Sequence, residues 1–218
     1  MYRIPISPPN QLTLLRILLT PVFVYFLFSD NPVDKQIALG IFIIAAITDW
    51  YDGYVARRWG YITRWGKFLD PLADKVLTSA AFFSFVVIGY AELWMVWIIV
   101  IRDFLITGLR TYAEYKNKPI NTSYFAKTKT FAQLIVIYLF LIRYIVFADS
   151  SLHQQFAWAF NSIITPFIMY WMMVVVTIMT ASTGIFYFTS NWHILTELFT
   201  INSAYRSKHG TESDQHGD

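Results

Sequence analysis

With 218 residues, 56% of them hydrophobic and 14% charged, and a mean hydropathy of +0.45, the chain is too apolar for a soluble domain, where about 25% charge is usual. The absence of cysteine excludes disulfides and cysteine-ligated zinc. A net charge of +3 is modest, so no nucleic-acid partner is expected, and where the charges sit matters more than their sum.

The opening stretch, MYRIPISPPNQLTLLR, is followed by an apolar run without a small-residue cleavage site. Residues 12–28 are therefore expected to be a retained span. A span needs roughly 20 mostly apolar residues. Six windows qualify, at about 12–29, 36–58, 70–90, 93–115, 127–148 and 162–190. Backbone amides in hydrocarbon must pair within their own segment, so each window is expected to be a helix. The expected fold is an all-α integral membrane protein of six transmembrane helices. Residues 1–202 should form one six-helix transmembrane domain, and the polar residues 203–218 a disordered tail.

Pro21 and Pro166 are expected as tolerated kinks. Pro71 fits either the first turn of the third span or a kink inside a longer helix. Residues 149–161 read as an anchoring loop or a short surface helix, with Phe156, Trp158 and Phe160 near the interface. Arg143 is expected to snorkel from the fifth span. The four histidines, His153, His193, His209 and His216, lack ligand spacing.

Basic residues alternate between connections. Arg57, Arg58, Arg64 and Lys67 follow the second span, and Lys116, Lys118, Lys127 and Lys129 flank the connection after the fourth. The opposite connections hold only Lys35. The positive-inside rule then places both termini in the cytoplasm, and Arg206 and Lys208 agree.

The densest chemistry lies at residues 49–74, DWYDGYVARRWGYITRWGKFLDPLAD. Asp49, Asp52, Gly53, Ala56 and Arg57 stand at offsets 0, 3, 4, 7 and 8, one face of a helix. Gly66, Asp70 and Asp74 are spaced by four, one face of another. Four carboxylates meeting between two apolar helices cannot all stay ionised without a cation. A structural polar seam is the bland alternative. Acidic residues in spans are costly, however, and default to function. Gly53 and Ala56 leave room for a flat ligand, and Arg57 offers a fork for phosphate. An all-oxygen donor set suits Mg²⁺ or Mn²⁺.

A basic set accompanies it. Arg102 and Arg110 lie two turns apart on the fourth span, and Lys127 and Lys129 open the fifth. Ordinary positive-inside charge accounts for Lys116 and Lys118. The depth of Arg102 favours a ligand role for it and for Arg110. Arg16, with Asn10 and Thr13 on the same face, either helps close a ligand site or belongs to a helix start.

Read together, Asp49, Asp52, Gly53, Ala56, Arg57, Gly66, Asp70 and Asp74 form D-x-x-D-G-x-x-A-R-x8-G-x3-D-x3-D. This resembles the signature of the CDP-alcohol phosphatidyltransferase family. The run from Asn10 to Arg16, the stretch GKFLDPLADK, the pair Arg102 and Asp103 with Gly108 to Arg110, and Lys127 to Thr130 with Gln133 are similar to its bacterial branch that uses glycerol 3-phosphate. The likeness covers roughly residues 9–135. Asp103 and Thr111 stand where that branch more often has glutamates, and Tyr124 and Ala126 where it often has tryptophan and glycine.

The resemblance implies a CDP-alcohol phosphotransferase-like bundle in the bacterial cytoplasmic membrane, with its active site facing the cytoplasm. It implies two divalent cations, one on Asp49, Asp52 and Asp70 and one on Asp49, Asp70 and Asp74. Asp74 would be the catalytic base. Gly53, Ala56, Arg57, Thr63 and Gly66 would line the CDP-diacylglycerol pocket, and Arg102, Arg110, Lys127 and Lys129 would bind the acceptor phosphate. The implied reaction transfers the phosphatidyl group from CDP-diacylglycerol to glycerol 3-phosphate, giving phosphatidylglycerophosphate and CMP. A homodimer surrounded by membrane lipids is implied as well. Two alternatives stay open: another acceptor such as inositol phosphate, or a cation transporter. A transporter would place its carboxylates near the bilayer midplane, often in repeated halves, and no halves repeat here.

Overall fold

The computed structural model describes residues 8–59, 64–116, 124–192 and 196, with side chains described for 13–48, 71–116, 128–192 and 196. Thr63, Lys118, His193, Arg206, Lys208, His209, His216 and the 203–218 tail lie outside the described residues. Seven helices are found among the described residues: α1 (Pro8–Leu27), α2 (Pro32–Trp59), α3 (Arg64–Ile88), α4 (Leu93–Tyr115), α5 (Tyr124–Ala148), α6 (Ser150–Ile163) and α7 (Pro166–Ser190).

Six of them close a ring. α1 packs on α2 and α3, α3 on α4, α4 on α7, α7 on α5, and α5 on α2, while α3 and α5 also touch across it. Bulky apolar side chains at helical spacing fill the centre, among them Phe23, Phe42, Phe82, Phe85, Met95, Ile99, Phe140 and Met173. Phe85 and Phe140 stack edge-on at 5.3 Å, joining α3 to α5. The ring is apolar outside as well, with Tyr25, Val87, Phe131, Phe167 and Ile185 exposed, as suits helices solvated by lipid rather than water. Hydroxyls on these helices donate back to the preceding turn. Thr20 bonds the Arg16 carbonyl at 2.9 Å and Thr180 the Val176 carbonyl at 2.7 Å.

The chain is thus all-helical, and three stretches are long and apolar enough to cross a membrane: Pro71–Ile88, Thr128–Ala148 and Pro166–Ser190. α4 fails that measure because Arg102, Asp103, Arg110 and Glu114 interrupt it.

Several expectations change. α3 begins at Arg64, ahead of the expected start, so Pro71 lies inside a longer helix. Its ring removes one backbone bond there without ending the helix. Pro166 makes no kink but opens α7, where its fixed φ suits the first turn and Thr165 caps the Ile168 amide at 3.2 Å. Residues 150–163 take the surface-helix form, α6, capped by Asp149 and carrying the exposed Trp158. At the end of α3, Gly89 at φ 83° sets the left-handed turn that lets Gly89 donate to the Val86 carbonyl and Tyr90 to that of Phe85.

Arg143 does not snorkel. It is 7% exposed, donates through Nε to the Ile164 carbonyl at 3.1 Å and through Nη1 to the Tyr90 hydroxyl at 2.9 Å. Partners within the fold replace the water that snorkelling would supply.

Candidate active site

α2 continues without a break through residues 49–59, and α3 already includes Gly66, Asp70 and Asp74. That is the condition for each aspartate set to share a helix face. The side chains of Asp49, Asp52, Ala56, Arg57, Asp70 and Lys127, and the surroundings of Gly53 and Gly66, lie outside the described residues.

Asp74 is described, and it opens onto a cavity of about 890 Å³ between α3, α4, α5 and α7. Arg102 and Arg110 of α4 and Lys129 of α5 line the same cavity. Four residues singled out from sequence therefore share one chamber. Lys75, Glu114 and Tyr187 line it too. Four cationic side chains face two carboxylates across the chamber wall, which favours an anionic ligand.

Behind that wall stands Asp103, 5% exposed. It accepts from Lys129 Nζ in a short bond, from Arg102 Nη1 at 3.0 Å and from Gln133 Nε2 at 3.4 Å. Lys75 Nζ lies 3.9 Å from Asp103 and 3.2 Å from Asp74. One buried carboxylate thus ties three cations from three helices into a fixed array. Removing any of them from water would be costly without it. Asp103 compensates the cations from the rear, leaving their forward donors for a ligand.

Two polar atoms at this chamber are buried without a hydrogen-bond partner: Arg102 Nε and the Tyr187 hydroxyl. Such orphans are rare and mark places where a ligand or water completes the bonding. Gly184, one turn before Tyr187, leaves space for Arg102, since a Cβ there would meet Arg102 Cγ at 3.0 Å. Arg16 is buried within α1, at 1% exposure.

Sequence reasoning missed Lys75, Asp103 and Tyr187 as site residues. Asp103 carried a usable signal, a carboxylate inside the apolar run WIIVIRDFLI. Lys75 stood in the stretch GKFLDPLADK, next to Asp74, but its place at the chamber, like that of Tyr187, comes only from the packing of α3 and α7 around α4.

The sequence profile of the CDP-alcohol phosphatidyltransferase family matches residues 7–180. The chain belongs to that family. The match takes in both aspartate helices and most of the chamber, including Asp74, Lys75, Arg102, Asp103, Arg110 and Lys129. Among similar phosphatidyltransferases is the CDP-diacylglycerol–glycerol-3-phosphate 3-phosphatidyltransferase of Bacillus subtilis strain 168. It is 35% identical over 201 residues, 86% of this chain and 96% of that protein. The protein of that name from Salmonella typhimurium strain LT2 is 39% identical over 135 residues, covering 59% of this chain and 73% of its own. Its Rickettsia bellii counterpart is 33% identical over 134 residues, covering 62% and 74%.

Proposed function

We propose that the chain transfers the phosphatidyl group of CDP-diacylglycerol to glycerol 3-phosphate in phospholipid synthesis, releasing CMP. One observation carries this reading: Asp74 shares a single chamber with the cationic set of Arg102, Arg110, Lys75 and Lys129. A proton acceptor beside a phosphate-binding wall is what a phosphorylated alcohol needs in order to attack.

The carboxylates Asp49, Asp52, Asp70 and Asp74 form an all-oxygen donor set on two helices, and Asp74 is open to the chamber, so the residues fit two Mg²⁺ or Mn²⁺ ions. Bound there, the ions would neutralise the diphosphate and stabilise CMP as a leaving group. Arg102, Arg110, Lys127 and Lys129 hold the phosphate of the acceptor, and the Tyr187 hydroxyl adds a donor. Asp74 takes the proton of the acceptor hydroxyl. The freed oxygen bonds the β-phosphorus, and the bond from that phosphorus to the bridging oxygen breaks to release CMP. Gly53, Ala56, Arg57, Thr63 and Gly66 line the CDP pocket. Positioning and charge neutralisation supply most of the rate.

α1 to α5 and α7 form six spans in a bacterial cytoplasmic membrane, as two homodimeric copies, with both termini and the aspartate ends on the cytoplasmic side. The alternating basic connections support that orientation. The decisive assay incubates purified protein with CDP-diacylglycerol, Mg²⁺ or Mn²⁺, and a panel of alcohols, and identifies the lipid formed. Phosphatidylglycerophosphate and stoichiometric CMP are expected with glycerol 3-phosphate. A product formed only from an inositol phosphate would move the acceptor assignment. Ion flux in liposomes without CMP release would overturn the enzyme reading.

A further inference from the structure

A second polar cavity, about 240 Å³, lies at the other end of the bundle, among the α3–α4 turn, α5 and the start of α7. Along α3 it is separated from Asp74 by the 14 residues to Ile88, about 21 Å of helix. The reaction uses none of its residues. Arg143 lines it, pinned over the Phe147 ring with its guanidinium carbon 4.3 Å from the ring centroid. Nε and Nη1 are taken by the Ile164 carbonyl and the Tyr90 hydroxyl, which leaves Nη2 for whatever enters. Glu92 lines the cavity too. It holds the N-cap position of α4, yet its side chain makes no cap hydrogen bond. Tyr90 and Tyr170 also line the cavity.

Depth identifies the occupant. Trp94 and Trp97 in the first turns of α4, and Phe167 and Trp171 in those of α7, are all exposed at this end. Such aromatics settle at headgroup level. A ligand here therefore meets lipid headgroups before free solutes. The wall offers one cation and one carboxylate, which suits a ligand carrying one charge of each sign. A phosphodiester would accept from Arg143, and an ammonium would meet Glu92.

We infer that this cavity binds the headgroup of a zwitterionic phospholipid, phosphodiester on Arg143 and ammonium on Glu92. The bound lipid joins the α3–α4 turn, α5 and α7 at the face away from the reaction. The inference rests on the membrane setting of the helices and not on the acceptor assignment.

The test is native mass spectrometry of the full-length protein given equimolar phosphatidylethanolamine and phosphatidylglycerol. Wild type should retain the zwitterionic lipid about tenfold over the anionic one, the worth of one charge-assisted contact. Glu92→Gln should remove that preference while leaving CMP release intact, so the reaction and the lipid site are read separately. Arg143→Lys keeps a cation but loses the fork, and should lower retention of both lipids. An unchanged lipid ratio in Glu92→Gln overturns the inference. So does displacement of the lipid by millimolar inorganic phosphate, which would mark a site for a soluble anion.

Discussion

The bundle carries a cavity at each end, one between α3, α4, α5 and α7 and one among the α3–α4 turn, α5 and the start of α7, and the two handle buried charge differently. At the Asp74 end, four cations converge on a chamber of about 890 Å³, with Asp103 held behind them. At the other end, one arginine is held by a carbonyl, a hydroxyl and aromatic rings. Neutral partners pin Arg143 without cancelling its charge, whereas an ionic partner behind Lys129 and Arg102 cancels part of theirs. The first arrangement suits a singly charged diester. The second suits a phosphate monoester with up to two charges, presented beside a proton acceptor. A buried cation is therefore best interpreted from what satisfies it.

The largest effect expected at the chamber comes from Asp74→Asn. On the proposed mechanism it removes both the proton acceptor and a metal-binding oxygen, so CMP release should fall by about a thousandfold or more. The protein should still fold and insert, giving an unchanged elution profile in detergent. Full turnover in this variant would dissolve the distinction between the two ends. Asp103→Ala comes next, through the fold. It leaves Lys129, at 1% exposure, buried beside Arg102 without its counter-charge. Breaking such a pair from one side costs about 3–5 kcal/mol, so a clear drop in apparent Tm is expected. If Asp103→Ala melted like wild type, the cations would not depend on a rear carboxylate.

Arg110→Ala sharpens the comparison from the ligand side. Arg110 lies at the chamber's outer part and is more exposed than Arg102. Losing one charge-assisted bond should raise KM for glycerol 3-phosphate by roughly tenfold and that for CDP-diacylglycerol far less. Equal shifts in both constants would place Arg110 outside the acceptor pocket. Gly184→Ala acts on the same pocket indirectly. The new methyl meets Arg102 Cγ at 3.0 Å and must push it aside. A displaced Arg102 guanidinium should weaken one contact to the acceptor by about 1 kcal/mol, so the acceptor KM should rise roughly 5-fold. An unchanged KM would show that Arg102 can move without consequence for the acceptor.

Much of this was legible in the residues. The offsets of Asp49, Asp52, Asp70 and Asp74 marked two helix faces, because helical spacing is local information. Arg102, Arg110 and Lys129 could be paired with Asp74 because charge in an apolar span needs a reason. Lys75, Asp103 and Tyr187 were not assigned roles, since those depend on which helices become neighbours. The role of Arg143 was misread for the same reason. Its partners, Tyr90 and Ile164, come from two connections that sequence proximity does not link to α5. Pro166 was misplaced because an apolar window does not reveal the break between α6 and α7. Thr165 before Pro166 was the available clue, a cap followed by a residue that needs no donor.

Asp149 provides the smallest effect and a control at the end away from the chamber. Its carboxylate caps α6, accepting from the Ser151 amide at 2.8 Å and the Leu152 amide at 3.2 Å, and it also takes a bond from Gln36 at 3.0 Å. The Ser151 hydroxyl and these amides hold its pKa below the usual carboxylate range. A lowered folded pKa means the folded state prefers the ionised form. The stability this gives is fully present above the ordinary carboxylate pKa and is lost as pH falls through the lower, folded value. Asp149→Ala should therefore lower the apparent Tm slightly at neutral pH, with both KM values unchanged. The gap between variant and wild type should close as the medium is acidified through the carboxylate range. A gap that stayed constant with pH would mean the cap acts through geometry alone. A shift in the acceptor KM would mean the two ends of the bundle are coupled, and that their separate treatment of charge is not independent.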